Sequence, residues 1–473
     1  VAALPARLGA AAEAVLQAGS PVQVTSALAR AVPGSVVVLA DGVWADADLL
    51  VLAEGTAEKP ITVRAATPGR VVLTGRSRLR LAGRFLQVEG LVFRDGGQPD
   101  KDVIEFRRDS KSLAEDCRLT QCAIVDYHQG TEGRTNRWVS LYGRRNRVDH
   151  CWFEGKSNAG ATLVVWVGDQ PNDHRIDANL FGPRAPLGQN GGETIRVGTS
   201  EVSMHESRTV VERNLFEACN GEIEVISSKS CGNTYRHNTF RRCAGTLTLR
   251  HGNRCVVEGN WFLGEGAKNT GGVRIIGEDH RILNNYFADL TGTRSRAAIS
   301  FMQGIPESPL SGYFQVKRAL VAFNTVVNCR SAMEIGVAGD GTRLPPVECV
   351  LASNIVCGTQ GPLVCVTSAP TGWAWLGNVA WGAEPGVVEI AGVRVVDPRL
   401  AQGPDGVWRP AADSPVRGAA AASAADLVTE DIDGQPRPHD ATDTGCDQAS
   451  EAQVRFGPLR PADVGPAWRR VPR

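Results

Sequence analysis

From about residue 150 to residue 360 the chain is written in short apolar triplets rather than in long amphipathic runs. A phrase of Asn followed two residues later by Phe or Val returns at Asn179-Leu180-Phe181, Asn214-Leu215-Phe216, Asn238-Thr239-Phe240, Asn260-Trp261-Phe262, Asn285-Tyr286-Phe287, Asn324-Thr325-Val326 and Asn354-Ile355-Val356. Between Asn214 and Asn285 the intervals are 24, 22 and 25 residues. Short strands returning at that interval predict an all-β fold, a right-handed parallel β-helix, in which no coil can bury its own apolar face without its neighbours. The longer intervals, 35 residues before Asn214 and 39 after Asn285, predict coils with inserted loops. Weaker versions of the phrase occur at Cys151-Trp152-Phe153 and Gly90-Leu91-Val92-Phe93. A leucine-rich repeat has a similar period but needs a Leu consensus that is missing here. The recurring Asn is expected to be structural, tolerating turn conformations and stacking in a ladder of amide hydrogen bonds.

The pattern changes at both ends. Ser26 to Ala31 predicts a short helix and Val36 to Leu39 a strand, the helix capping the open end of the stack. Beyond about Gly403 the chain turns rich in Pro, Ala and Asp, which predicts an irregular tail wrapped against the last coils. No linker interrupts the sequence, so the expectation is one domain over residues 1–473, with coils over about 20–400 and the tail over about 401–473.

Composition narrows the functional classes. The 51 basic and 51 acidic residues cancel, which argues against nucleic acid or an anionic membrane as partner. No apolar run reaches membrane-spanning length. The chain opens on Val1, which fits a secreted or periplasmic protein whose signal peptide has been removed. Of 12 Cys, four (Cys219, Cys231, Cys243 and Cys255) recur every 12 residues, a spacing that suits stacked core thiols and leaves disulfides between coils open, but not a C-x-x-C zinc site.

The candidate chemistry lies in Gly221-Glu222-Ile223-Glu224-Val225-Ile226-Ser227-Ser228-Lys229. Strand alternation puts Ile223 and Val225 inward and Glu222 and Glu224 outward, side by side. Two adjacent carboxylates repel, so a bound cation, or an ion pair with nearby Arg, is expected. The next coil brings Leu247 and Leu249 inward and Arg250 outward, and Val273-Arg274-Ile275 repeats the pattern one coil on. Lys229 beside such cations should release its proton easily, as a lysine base must. Motifs for zinc proteases, P-loops and Ser-hydrolase elbows are absent.

In order along the chain stand Gly188-Gln189-Asn190-Gly191-Gly192-Glu193-Thr194-Ile195-Arg196, then Gly221-Glu222-Ile223-Glu224 with Lys229-Ser230, then Leu249-Arg250-His251-Gly252, then Gly271-Gly272-Val273-Arg274. Through these motifs the chain resembles polysaccharide lyase family 6, the alginate lyases and chondroitinase B, from the Thr25 region to the Asp431-Ile432-Asp433-Gly434 tail. The resemblance implies that Asn190, Glu222 and Glu224 bind Ca2+, that Lys229 is the base and Arg250 the acid, and that Glu193, Arg196, His251 and Arg274 bind substrate or support catalysis. His251 serves equally well as a structural histidine. The implied reaction is β-elimination on a uronate polymer, alginate ahead of dermatan sulfate, by a monomer. Rival readings are a glycoside hydrolase using Glu222 and Glu224, a C5-epimerase that leaves the chain intact, and a non-catalytic glycan-binding module.

Overall fold

The computed structural model describes residues 14–386 and 390–470; Val1, on which the expectation of a processed start rests, lies outside them. Three parallel sheets run the length of the stack. The first has 14 strands from Val15–Ala18 to Ala374–Leu376, the second 13 strands ending at Val364–Val366, and the third 14 strands from Gly42–Ala45 to Val393–Val395. Each coil contributes one strand to each sheet, as in Thr234–Arg236, Thr239–Arg241 and Thr246–His251. This is the parallel β-helix that the repeat predicts.

The register explains the triplets. Phe153, Phe181, Phe216, Phe240, Phe262 and Phe287 are paired neighbours in the third sheet, and from Phe181 to Phe287 their rings stack inside the core at 4.6–4.9 Å. Beside them runs the amide ladder. Asn179 donates to Asn214, Asn214 to Asn238, Asn238 to Asn260, Asn260 to Asn285, Asn285 to Asn324 and Asn324 to Asn354, each at 2.9–3.0 Å. The ladder goes one rung further, to Asn378, which the Asn-x-Phe/Val phrase misses because Ala380 follows it. The turn conformation belongs to the residue before each Asn: Ala178, Arg213, His237, Gly259, Asn284, Phe323, Ser353 and Gly377 all have positive φ. The Asn side chains are thus spent on the ladder, and their predecessors make the corner.

Two expectations need correction. The helix is Pro21–Leu28, not Ser26 to Ala31. Ser20 caps it through the Gln23 amide, Pro21 sits where a missing N–H costs nothing, and Val24, Ala27 and Leu28 face the stack. The tail does more than cover the last coils. After the hairpin of Leu400–Gln402 and Trp408–Pro410 it runs back along the third sheet, bonding Tyr286 from Trp408, Thr325 from Cys446, Thr239 from Leu459 and Gln121 from Trp468. All 12 Cys are free thiols, and Cys219 and Cys243 donate to carbonyls of the preceding coil, so the stacked-thiol reading holds over disulfides.

Candidate active site

The second sheet carries the site, and two bulges shape it. Glu224 pairs with Thr246 and Ile226 with Leu247, which leaves Val225 as an extra residue; Ser228 then pairs with Leu249 and Lys229 with His251, which leaves Arg250 extra on the partner strand. Such irregularities re-aim side chains. Here they overturn the simple alternation: Val225 and Ile226 are both core residues, Ile223 is half-buried, and neither carboxylate stands fully in solvent. They also change the register of the charged column. Arg274 pairs with Thr248 and not with Arg250, so Arg250 and Arg274 approach Glu224 from two successive coils at different heights along the strand.

Glu224 is 8% exposed and is the hub. Its Oε1 accepts from buried Arg274 and faces Arg250 Nε at 3.7 Å, and its Oε2 accepts from Ser227. Of the two expectations for this carboxylate, the ion pair is therefore present. Arg250 is held by three further contacts: Nη1 donates to Gly312 O at 3.1 Å, Nη2 to Ser311 O at 3.2 Å, and the guanidinium lies 4.2 Å from the Tyr313 ring centre. Tyr313 belongs to the long loop of the 39-residue interval and has no periodic signal, so sequence reasoning missed it. Burial, with Arg274 adding to it, lowers the Arg250 pKa from its ordinary value.

His251 is buried, and its ring is assigned by its neighbours. Arg has no acceptor, so Nδ1 accepts from Arg250 at 3.3 Å and Nε2–H is left to donate to Ser200 Oγ at 3.2 Å. Burial, then Arg250 and Lys229, push its pKa down to about 3, which keeps the ring neutral. Two core histidines behave alike: burial lowers His174 to about 3 and His280 to about 4. Their ring NMR signals are expected not to titrate between pH 8 and 5; a midpoint near 6.5 for any of the three would contradict this burial. The stability each contributes is whole above about pH 6.5 and is drawn down as pH falls toward 4. Glu222 and Asp447, raised to about 8 and about 7 mainly by burial, act in the opposite sense and fold best protonated.

Glu222 is half-buried; after burial, the next causes of its raised pKa are Glu193 and Glu224, and Lys229 opposes them. Glu193 is 4% exposed, and its Oε2 is buried without a hydrogen bond among the described residues. Asn190 is exposed on the preceding loop, which is seated on the Glu222 segment: Leu187 N donates to Gly221 O at 2.8 Å, and a Cβ on Gly192 would clash with the backbone of Gly221 and Glu222. Buried Arg184 clips this loop down, donating to the carbonyls of Glu193 (2.6 Å), Asn158 (2.9 Å) and Gly160 (3.0 Å). No motif pointed to Arg184. Among the described residues no three His, Cys, Asp or Glu side chains form a ready metal cluster. The oxygen donors nonetheless suit a hard cation: a buried carboxylate oxygen with no hydrogen bond among the described residues, and a carboxyl whose pKa is raised by burial and then by two like neighbours, are what calcium would relieve.

Lys229 is half-buried at the end of Glu224–Lys229, and its amine makes no hydrogen bond or ion pair among the described residues. It lies close enough to Glu222, Glu201 and His251 to affect all three electrostatically. Arg196, in register with Ser227, is half-buried and reaches toward Trp166. Three arginines of an earlier coil are committed elsewhere: Arg144 to Pro171 and Asp173, Arg145 to Asp116, and Arg147 to Asp177.

The second sheet of this parallel β-helix thus gathers an amine, carboxylates and guanidiniums on one face. Residues 19–358 match the Chondroitinase B family, and the chain belongs to it, polysaccharide lyase family 6. Among solved structures it is similar to the PL6 family alginate lyase AlyGC, at 41% identity over 85% of this chain with a TM-score of 0.81. It spans 56% of that longer protein. A mannuronic acid specific family 6 lyase from human gut microbiota is 34% identical over 81% of this chain and 91% of its own, with a TM-score of 0.72. A PL6 alginate lyase solved in complex with a trisaccharide is 25% identical over 85% of this chain and 92% of its own, with a TM-score of 0.73. No curated protein matches.

Proposed function

We propose that this chain depolymerises a uronate polymer, alginate first among them, by β-elimination outside the cytoplasm. The observation that carries this reading is the placement of an unpartnered Lys229 amine beside Glu222 and His251, on a sheet face where Arg250, Arg274 and Glu224 meet. In its neutral form Lys229 accepts the C5 proton of the bound uronate. The electron pair from that C–H bond forms the C4–C5 double bond, and the C4–O bond breaks. Arg250, fixed by Gly312, Ser311 and Tyr313, faces the departing oxygen, which takes its proton from the Arg250 side or from water. Neutral His251 holds Arg250 without adding a second cation. Asn190, Glu222 and Glu224 are the residues that would hold Ca2+, whose charge would stabilise the uronate carboxylate as the α-proton leaves.

The assay is the growth of ultraviolet absorbance from 4,5-unsaturated uronate ends, on alginate, on its mannuronate and guluronate blocks, and on dermatan sulfate. Absorbance is expected on alginate and not on dermatan sulfate, in line with the alginate lyases that this chain resembles. New reducing ends without absorbance would indicate a hydrolase, and an altered uronate ratio in an intact chain would indicate an epimerase.

Glu222→Gln is the clean probe of the metal proposal, because Glu224→Gln would also strand the buried Arg274. We expect Glu222→Gln to need about tenfold more calcium for half-maximal turnover. Activity unaffected by a chelator in both proteins would remove calcium from the mechanism.

A further inference from the structure

One coil and more N-terminal to the centre, two guanidiniums share one indole. Arg137 Cζ lies 5.3 Å and Arg196 Cζ 5.5 Å from the Trp166 ring centre. Both Nε atoms are buried without a hydrogen-bond partner among the described residues. The nearest acid to Arg137 is Asp102 at 3.9 Å, and that carboxylate is already engaged by the Arg137 backbone amide and by Ser140 Oγ. Arg196 makes no ion pair among the described residues; burial lowers its pKa, the Glu193 carboxylate opposes that, and Arg137 adds to it. Converging like charges with unmet donors cost stability; an indole offsets part of that cost, and an arriving anion removes the rest.

The indole is braced for this. Trp166 Nε1 donates to Ser140 Oγ at 3.2 Å, and its other neighbour is Tyr142, stacked at 5.6 Å and 8°. Tyr142 in turn lies 3.8 Å below Arg107, itself paired with Glu105 at 3.0 Å. With neighbours along the stack on either side, Trp166 is poorly free to serve as a flat sugar platform. It is a spacer that fixes two forks. Its strand, Leu163–Val165, stands two coils before Glu224–Lys229 on the same sheet, roughly 10 Å away at the usual strand spacing.

We infer that Arg137 and Arg196, held against Trp166, form a second carboxylate subsite that takes the acid group of a uronate flanking the one that loses its proton. This rests on the polyuronate reading above and adds Arg137, Trp166 and a direction along the groove. Affinity then depends on oligomer length and on charge at a position remote from the chemistry.

The test uses calorimetric titration in a Lys229→Ala background, so that nothing is turned over, with acidic oligouronates of increasing length and with the same oligomers reduced to neutral sugars. Arg137→Ala is expected to weaken binding of the acidic hexamer about tenfold, as loss of one charge-assisted contact does, to leave the disaccharide within twofold, and to change the neutral hexamer little. Arg137→Lys should recover part of the loss, and Arg137→Gln repeats the test should the Ala variant melt early. Equal affinity of the parent and Arg137→Gln for the acidic hexamer, or an equal loss on the neutral one, overturns the subsite. If the parent binds no acidic oligomer of any length, the polyuronate reading falls and the subsite with it.

Discussion

Replacing Lys229 by Ala is expected to lower turnover about a thousandfold or more, the range lost when a positioned base is removed, while the melting temperature stays within a few degrees. Both halves follow from position. The side chain stands at the end of its strand, half-buried and bonded to nothing, so the coil loses no hydrogen bond and opens no core cavity when it is cut back. Substrate contacts would stay with Arg196, Arg274 and His251, so the Ala variant should still bind oligouronates. Elimination assays and thermal melts on the same preparation decide the matter: retained turnover removes Lys229 as the base, and a collapsed melt means that its role is structural.

Asn260→Leu is expected to do the reverse, costing about 3–5 kcal/mol of stability at a position remote from the groove. The two residues are similar in size, but the amide is fully committed. Its Nδ2 donates to Tyr235 O, Glu258 O and Asn285 Oδ1, and its Oδ1 accepts from the Asn238 backbone and side chain. Leu leaves several buried polar groups unsatisfied at once, each worth about 1–3 kcal/mol before the coils relax. Denaturant unfolding of the variant against the parent checks this. A loss under about 1 kcal/mol would mean that the ladder is ornamental and that the Phe stack alone holds the coils in register.

How much of this was legible in the chain differs between the two. The ladder was readable because a solenoid repeats its contacts: Asn and Phe return together at 22 to 25 residues, and each copy meets its own kind. Asn378 escaped only because Ala380 stands where the phrase requires Phe or Val. The capping helix was placed five residues late because its start lies in Ser20-Pro21, a cap signal outside the apolar run. Within the site, Glu222, Glu224, Lys229, Arg250 and Arg274 were found as outward residues of successive coils. Their exposure was misjudged, because period-two alternation assumes a regular ladder and this strand pair has bulges at Val225 and Arg250.

Period and composition therefore settled the architecture, the stacking residues and the neighbourhood in which charged groups meet, since these depend on contacts between near-copies of one motif. Which charges touch was decided in three dimensions. Glu224 receives Arg274 from two coils away, Arg250 is steadied by a loop more than 60 residues further on, and the Asn190 loop is clipped by Arg184. The last two join residues with no common period, and in the first a long side chain reaches several ångströms beyond the backbone register that a repeat can encode.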